Sequence, residues 1–250
     1  MCRRRPVDPR RGPGLPLALA ACAVLAAAAA ALPTRLSRHP AQPVAAQAAR
    51  PFGLPYAEPP GLGTWYLGQP YGNTTYAYAE RRGLYASGQG LHMGVDLVAA
   101  CGTPIVSIGD GVVRSVDGPG GSPPHNLMID HENGYVSFYG HLLRRPQVAV
   151  GERVLRGQPV ALTGDMNSNC NGAPHLHLEI RDRTLGRVFN PLVLIDADWH
   201  SIALLGSQPL TFERDLDAPR TWQWLDDQPA ITLGGPLLND FAHAWPVAQP

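Results

Sequence analysis

The residues from Ala173 to Ile180, which read A-P-H-L-H-L-E-I, alternate between polar and apolar positions. Successive side chains of a β-strand point to opposite faces of the sheet. One face would therefore carry His175, His177 and Glu179. The opposite face would carry the apolar side chains Leu176, Leu178 and Ile180. The alternation predicts a strand that is anchored by its apolar face and presents two imidazoles on the other.

Short apolar runs separated by Gly, Pro, Asn and Asp continue along the chain from Thr64 onward. They predict strands at residues 104–108, 111–116, 126–130, 136–141, 148–150, 159–163 and 175–181. Turn residues at 109–111 and 132–134 lie between such runs, as they do in tight hairpins. Many short strands with frequent turns favour an antiparallel sheet or barrel over a parallel α/β fold.

The N-terminal segment 1–32 has the layout of an export signal. Five arginines between Arg3 and Arg11 precede an apolar run from Leu15 to Leu32. Basic residues before an apolar stretch remain on the cytoplasmic side while the following chain crosses. The run is near the minimum length for spanning a bilayer, so a cleaved signal and a retained anchor are both open. Lipidation at Cys22 is a further alternative, and each of them predicts an exported protein of the cell envelope or exterior.

Three further segments follow the predicted signal. Residues 33–60 are rich in Pro, Ala and Gln without an apolar period, which is typical of an extended linker. Residues 61–195 contain the predicted strands and form the predicted folded domain. Residues 196–250 form a C-terminal extension whose aromatic residues we expect to pack on that domain. These aromatic residues are Trp199, Phe212, Trp222, Trp224 and Trp245.

Composition and charge exclude some functions. The chain has 27 Gly and 26 Pro residues and only 16% charged residues, which favours turns and loops over long helices. All 20 basic residues are Arg, and there is no Lys. Residues 51–250 carry 12 Arg against 19 acidic residues. An acidic body repels phosphates, so we expect no nucleic-acid partner.

Two cysteines, Cys101 and Cys170, lie in the predicted domain. An exported chain meets oxidising conditions, in which a disulfide between them is plausible. The bridge would tie the loop after Asp96 to the loop before His175. Two separate thiols are the alternative.

The segment from His92 to Asp96, H-M-G-V-D, places an imidazole and a carboxylate four residues apart, with Gly94 allowing the backbone to bend between them. Together with His177 they would supply two nitrogens and one oxygen, a donor set that suits zinc and leaves a fourth position for water. His141 ends an aromatic strand and, like His175, would be free to move a proton of a water molecule that zinc activates. If zinc binds these residues, the sequence predicts the groups needed for amide hydrolysis; the alternative is that His92 is a loop histidine and Asp96 a turn-forming residue.

Three motifs occur in a fixed order: H-M-G-V-D from residue 92, Y-G-H from residue 139 and P-H-L-H-L-E from residue 174. Together with the glycine-punctuated segments between them, from about residue 88 to 195, they resemble the lysostaphin/LytM-type zinc endopeptidases. The resemblance implies that one zinc ion is held by His92, Asp96 and His177. It also implies that His141 and His175 form a catalytic pair that activates water and stabilises the tetrahedral oxyanion. Glu179 is expected to have a supporting or ion-pairing role.

The same resemblance implies a fold and a substrate. The fold is a compact antiparallel β-sheet with lipoyl-like hammerhead elements, long loops, little helix and a narrow groove. The substrate is a peptide bond in the stem or cross-bridge of bacterial peptidoglycan, and contact with a membrane is expected only through the N-terminal segment. This sequence departs from the family between residues 165 and 173, where D-M-N-S-N-C-N-G-A replaces a Gly- and Ser-rich loop. The departure removes no expected ligand, but the shape of the groove and the substrate preference do not follow from the resemblance.

Three other classes of protein share parts of this pattern. A cupin-like metal enzyme also has His-x-His on a strand, but its further His ligand lies downstream of that pair, whereas the partners here lie upstream. A lipoyl or biotinyl carrier would attach its cofactor to a lysine, and the chain has none. A LytM-like binding or regulatory module without catalysis stays open, although such modules typically lack ligands and all five positions are filled here.

Overall fold

The computed structural model describes residues 50–167, 169–206 and 211–245. The predicted signal or anchor at 1–32 and residues 33–49 of the predicted linker lie outside these residues. Within the described ranges, no helix is both long enough and apolar enough to cross a membrane.

Strands dominate the described part of the chain, as the sequence predicts. The strands are β1 (Trp65–Gln69), β2 (Val95–Ala99), β3 (Pro104–Val106), β4 (Gly111–Val116), β5 (Leu127–Asp130), β6 (Tyr135–Gly140), β7 (Arg153–Val154), β8 (Pro159–Leu162), β9 (His175–Asp182), β10 (Arg187–Phe189) and β11 (Ile231–Thr232). The helical segments are α1 (Thr75–Ala79), a 3-10 turn at Ala86–Gly88, α2 (Pro191–Leu194) and α3 (Trp199–Ile202). Each helical segment is one or two turns long, so the mostly β prediction is confirmed.

The main sheet is antiparallel throughout its described pairs and runs in the order β1-β2-β9-β6-β5-β4-β7. Strand β10 pairs with the C-terminal half of β9 and also with β11. Strands β3 and β8 form a separate antiparallel pair. The longest strand, β9, lies between β2 and β6, so the predicted antiparallel sheet is confirmed with the His-x-His strand inside it.

The apolar face of β9 packs into the core. Leu176, Leu178 and Ile180 are fully buried, and they join Leu97 and Tyr139 from the neighbouring strands in one apolar cluster. Burying a Leu or Ile side chain contributes about 1.5–3 kcal/mol relative to leaving it exposed. Because this face is buried, the strand register is fixed, and with it the positions of the histidines on the opposite face.

Two local predictions were wrong. Residues 148–150 form no strand: Val150 is exposed and leads into a turn at Gly151, and the strand β7 begins at Arg153. Residues 109–111 do not close a hairpin, because β3 pairs with β8 while β4 pairs with β5 and β7. The turn at 132–134 does close the hairpin of β5 and β6, in which Asp130 lies opposite Val136.

The packed body begins before the predicted boundary at residue 61, because Phe52 and Tyr56 are buried in the core cluster. The C-terminal extension contributes Trp199 and Leu225 to the same cluster. In contrast, Trp224 and Trp245 are largely exposed.

Candidate metal centre

The register of β9 with its two neighbours brings Asp96 and His177 together. Asp96 on β2 lies directly opposite His177, and Gly140 on β6 lies opposite the same histidine from the other side. Residues that are directly opposite on adjacent strands have their side chains in contact range. His141 follows Gly140 immediately, so one cross-strand row brings a carboxylate and two imidazoles to a single place.

His92 reaches this row from the loop before β2. Its backbone is held by a reciprocal pair of 2.9 Å hydrogen bonds with Gly72. Its Nδ1 donates to the carbonyl oxygen of Pro70 at 2.8 Å. A carbonyl oxygen only accepts hydrogen bonds, so the proton is on Nδ1 and the Nε2 lone pair of His92 is left for another partner. Nε2 lies 3.2 Å from Nδ1 of His177 and 3.3 Å from Oδ1 of Asp96.

The donor atoms of His92, Asp96 and His177 all lie within 4.8 Å of one another. His92 and His177 are buried, and the Asp96 side chain is mostly buried. Two imidazole nitrogens and one carboxylate oxygen form a donor set that zinc favours in catalytic sites, where a fourth position stays open. The three residues predicted as metal ligands therefore lie together in a geometry that fits one such ion.

The charges of this cluster are strongly coupled. Burial alone would raise the pKa of Asp96, but the two neighbouring imidazoles lower it well below its usual range. Burial alone would lower the pKa of His177, but hydrogen bonds with Asp96 and Glu179 raise it to about 9. The metal-free cluster thus holds a proton on Nδ1 of His177, in the position where a metal ion would bind.

His141 and His175, the predicted catalytic pair, lie side by side with ring centroids 4.8 Å apart. The ring of His141 is 5.8 Å from that of His177. Nδ1 of His141 donates to the carbonyl oxygen of Pro123 at 2.6 Å, and Nδ1 of His175 donates to that of Ala173 at 2.7 Å. Both rings therefore carry the proton on Nδ1 and leave the Nε2 lone pair free to accept another.

The backbone turns sharply at His141, whose φ of 57° lies in the left-handed region that non-glycine residues seldom adopt. The amide of His141 donates to the carbonyl oxygen of Ser122, which fixes the turn. Burial, together with the charge of the neighbouring imidazoles, lowers the pKa of His141 to about 4. His141 is thus neutral near pH 7 and can accept a proton.

Glycine is required at position 94 for a different reason from the backbone bend that the sequence suggested. A Cβ at this position would lie 2.6 Å from the carbonyl oxygen of Leu178 and 2.8 Å from Cε1 of His177. Gly94 is therefore needed for space beside the His177 ring, and its φ is not in the left-handed region.

The structure pairs Cys101 and Cys170 as a disulfide, with their Cα atoms 5.9 Å apart. Cys101 follows β2, which carries Asp96, and Cys170 precedes β9. In the same loop, Asp165 accepts hydrogen bonds from the backbone amides of Asn167, Asn169 and Gly172. The segment that departs from the predicted family pattern is thus internally bonded and attached to the strand beside the site.

Several groups that orient the site have no signal in the sequence. Three of the four imidazoles are held by main-chain carbonyls, those of Pro70, Pro123 and Ala173. A carbonyl is present at every residue, so only the fold identifies the ones that matter. Arg181, which bonds Glu179, also went unrecognised, although its spacing of four residues from His177 on one strand face could have indicated it.

The fold and the site together define a β-sheet protein with a candidate metal centre beside a pair of histidines. Residues 90–191 match the model of peptidase family M23. This match agrees with the resemblance found in the motifs.

Relatives with curated descriptions share this part of the chain. The chain is 43% identical over 90 residues to the peptidoglycan DD-endopeptidase ShyC of Vibrio cholerae, a match that covers 35% of this chain and 19% of the relative. It is 33% identical over 102 residues to the DD-carboxypeptidase/endopeptidase Mpg of Neisseria meningitidis, which covers 41% of this chain and 22% of the relative. The chain thus spans about a fifth of the length of these relatives.

Among solved structures, a zinc-containing peptidase from Vibrio cholerae is similar with a TM-score of 0.44 and 27% identity, over 60% of this chain and 40% of the other. Lysostaphin from Staphylococcus simulans is similar with a TM-score of 0.43 and 22% identity, over 59% of this chain and 55% of the other.

Proposed function

We propose that this protein is a zinc-dependent endopeptidase that hydrolyses peptide bonds of bacterial peptidoglycan. The observation that carries the proposal is the site itself. Three donor atoms of His92, Asp96 and His177 converge within 4.8 Å, and two further imidazoles lie beside them with a free Nε2. The match of residues 90–191 to the model of peptidase family M23 supports the reaction class.

The roles of the residues follow from their positions. His92, through Nε2, His177, through Nδ1, and Asp96, through Oδ1, would hold the ion. When bound, zinc supplies a Lewis acid that polarises a carbonyl and lowers the pKa of water. His141, neutral at pH 7, accepts a proton at Nε2 from the attacking water. His175, the more exposed of the pair, takes up a proton at its own Nε2 and in that charged form donates it to the oxyanion.

Peptidoglycan as the substrate rests on the relatives, two of which are named as endopeptidases of this kind, one of them explicitly for peptidoglycan. A cell-wall substrate lies outside the cytoplasmic membrane. It therefore agrees with export directed by the N-terminal segment 1–32, which we propose as its signal or anchor.

The test is digestion of purified peptidoglycan by the purified chain, with and without a chelator, followed by mass analysis of the released peptides. We expect peptide-bond cleavage that chelation abolishes and that one equivalent of zinc restores. Cleavage that continues after complete removal of metal would contradict the zinc mechanism. Tight zinc binding without any cleavage would instead favour the non-enzymatic cell-wall module.

A further inference from the structure

One of the four imidazoles is oriented differently from the others. His92, His141 and His175 each donate from Nδ1 to a main-chain carbonyl, whereas Nε2 of His177 lies 3.0 Å from the carboxylate oxygen Oε1 of Glu179. A carboxylate accepts more strongly than a carbonyl, because its full charge strengthens the hydrogen bond. His177 thus has an anionic partner on the side opposite to the metal position.

This carboxylate is itself held by a buried cation. The second oxygen of Glu179, Oε2, accepts from Nε of Arg181 at 2.6 Å. The side chains of Glu179 and Arg181 are only 1% and 4% exposed. A buried ion pair is retained only where further hydrogen bonds satisfy it, since desolvating two charges is costly. Here the further hydrogen bond comes from His177, two residues before Glu179 on the same face of β9. His177, Glu179 and Arg181 thus form a second row of side chains, which runs along β9.

Arg181 continues the row to a second part of the site. Its guanidinium lies 4.7 Å over the ring of Phe138 and donates to the carbonyl oxygen of Gly120 at 3.3 Å. Gly120 belongs to the loop that also supplies the carbonyls of Ser122 and Pro123 to His141. One buried row of side chains thus connects a predicted metal ligand with the loop that orients a predicted catalytic histidine.

We propose that Glu179 and Arg181 are positioning residues that keep the proton of His177 on Nε2, so that its Nδ1 lone pair faces the metal. Arg181 fixes the carboxylate and, through Gly120, aligns the loop of His141 with it. The inference rests on the metal site of the proposed function. The row carries one negative and one positive charge, so it directs the imidazole without adding net charge to the centre.

The sharpest variant is Glu179→Gln, which keeps the shape but has only one acceptor oxygen. If that oxygen accepts from Arg181, the amide NH₂ faces Nε2 of His177 and forces the proton onto Nδ1, where the metal binds. If it accepts from His177 instead, two donors meet at Arg181. We expect E179Q to weaken zinc binding by about 10–100-fold, as loss of such a partner of a metal-bound histidine does.

Zinc affinity is measured by competition with a chelator, and the folding of each metal-free variant by circular dichroism and thermal unfolding. Cobalt-substituted protein gives a second readout, because its visible spectrum reports the ligand geometry. The matched control is Arg183→Gln, which removes the solvent-exposed ion pair with Asp130 just beyond β9. We expect R183Q to bind zinc as the wild type does, with an unchanged cobalt spectrum.

A double variant distinguishes positioning from loss of packing. In E179Q/R181M the arginine no longer competes for the oxygen of the introduced amide, so that oxygen can again accept from Nε2 of His177. We expect this variant to recover part of the zinc affinity that E179Q loses, in the manner of a coupled pair. An affinity that falls further in the double variant would mean that the two residues act only through packing, and it would overturn the proposal.

If metal-free E179Q does not fold, R181K makes the same test, since a lysine cannot bond Glu179 and Gly120 in the fixed fork of arginine. We expect R181K to bind zinc several-fold more weakly. Wild-type affinity in the folded variant that is tested would overturn the proposal. Absence of peptidoglycan cleavage by the zinc-loaded wild type would contradict only the proposed function, because the affinities are measured without substrate.

Discussion

At the scale of single residues, the candidate centre is a set of imidazoles whose protons are assigned by their surroundings. Each of the four rings has one nitrogen engaged by a fixed acceptor, which leaves the other nitrogen for chemistry. An imidazole with both nitrogens free would divide its population between two tautomers and lose part of its effectiveness in either role. The arrangement therefore separates two metal-facing nitrogens from two proton-accepting ones.

The first prediction concerns the histidine pair. His141→Ala and His175→Ala should each retain zinc and lose peptidoglycan hydrolysis by about 10²–10⁴-fold, since neither is placed as a ligand and proton transfer contributes that much. Metal content and the rate of peptide release are the measurements. His200→Ala, an exposed position on α3, is the control and should change neither. Loss of zinc from H141A would mean that this residue is a ligand.

The second prediction concerns Gly94. In Gly94→Ala the new Cβ meets the carbonyl of Leu178 and the ring of His177, so that either the strand or the ring must shift. We expect a loss of about 1–3 kcal/mol in the free energy of unfolding, as for other overpacked sites, together with weaker zinc binding. Gly63→Ala, where a Cβ would meet nothing within 4 Å, is the control. A G94A protein with wild-type zinc affinity would show that the ring has room to move.

How far the site could be predicted from the sequence depends on whether a given function rests on side-chain or on main-chain atoms. The candidate ligands and the histidine pair are side chains in ordered motifs, so the sequence alone proposes them by number. The carbonyls of Pro70 and Pro123, which lie 22 and 18 residues from the histidines they orient, are brought there only by the fold. The need for a small residue at Gly94 likewise arises from a neighbouring strand that is more than 80 residues away in sequence.

At the scale of elements, alternation predicted the strands that have one buried face and one functional or exposed face. Strand β9 was predicted in this way, whereas β5 and β6, which are buried on both faces, were predicted from apolar runs on either side of a turn. The very short strands β10 and β11 were not predicted, because two or three residues contain no period. The partner of β11 is β10, more than 40 residues before it in the sequence. Residues 148–150 show the opposite error: their apolar run predicted a strand, but it has no neighbouring strand to pair with and forms none.

The third prediction concerns the link between two such elements. Reduction of the Cys101–Cys170 bridge, or the double variant C101S/C170S, should lower the free energy of unfolding by about 4 kcal/mol, the loop-closure value for a separation of 69 residues. Zinc affinity should change little, because β2 and β9 hold Asp96 opposite His177 through their own register. Calorimetry with and without reductant measures the effect, and C101S/C170S should not respond to reductant. Mass spectra of non-reduced peptides that show two free thiols would contradict the bridge.

At the scale of the whole molecule, the buried charges of the centre make folding of the metal-free protein depend on pH. His177 has a pKa of about 9 in the folded protein, raised by its two carboxylate partners above the value near 6.5 of an unfolded chain. The folded state therefore binds a proton more tightly than the unfolded state. The stabilisation is fully present below pH 6.5 and is lost as the pH rises through about 9. The lowered pKa values of Asp96 and Glu179 act in the opposite range: their stabilisation is present above about pH 4 and is lost at lower pH.

The fourth prediction follows from this dependence. For metal-free protein, the free energy of unfolding should decrease between pH 6.5 and 9 in the wild type, and this decrease should be smaller in His177→Gln, which has no titrating group there. Denaturant unfolding at a series of pH values measures both curves. Their difference isolates the contribution of His177 from that of the other titrating groups. One of these is the buried His131, whose lowered pKa makes it destabilising only at acid pH. Saturating zinc should remove the decrease from the wild-type curve, because the ion replaces the proton on Nδ1. Parallel curves for the two metal-free proteins would mean that His177 does not carry the additional proton in the folded state.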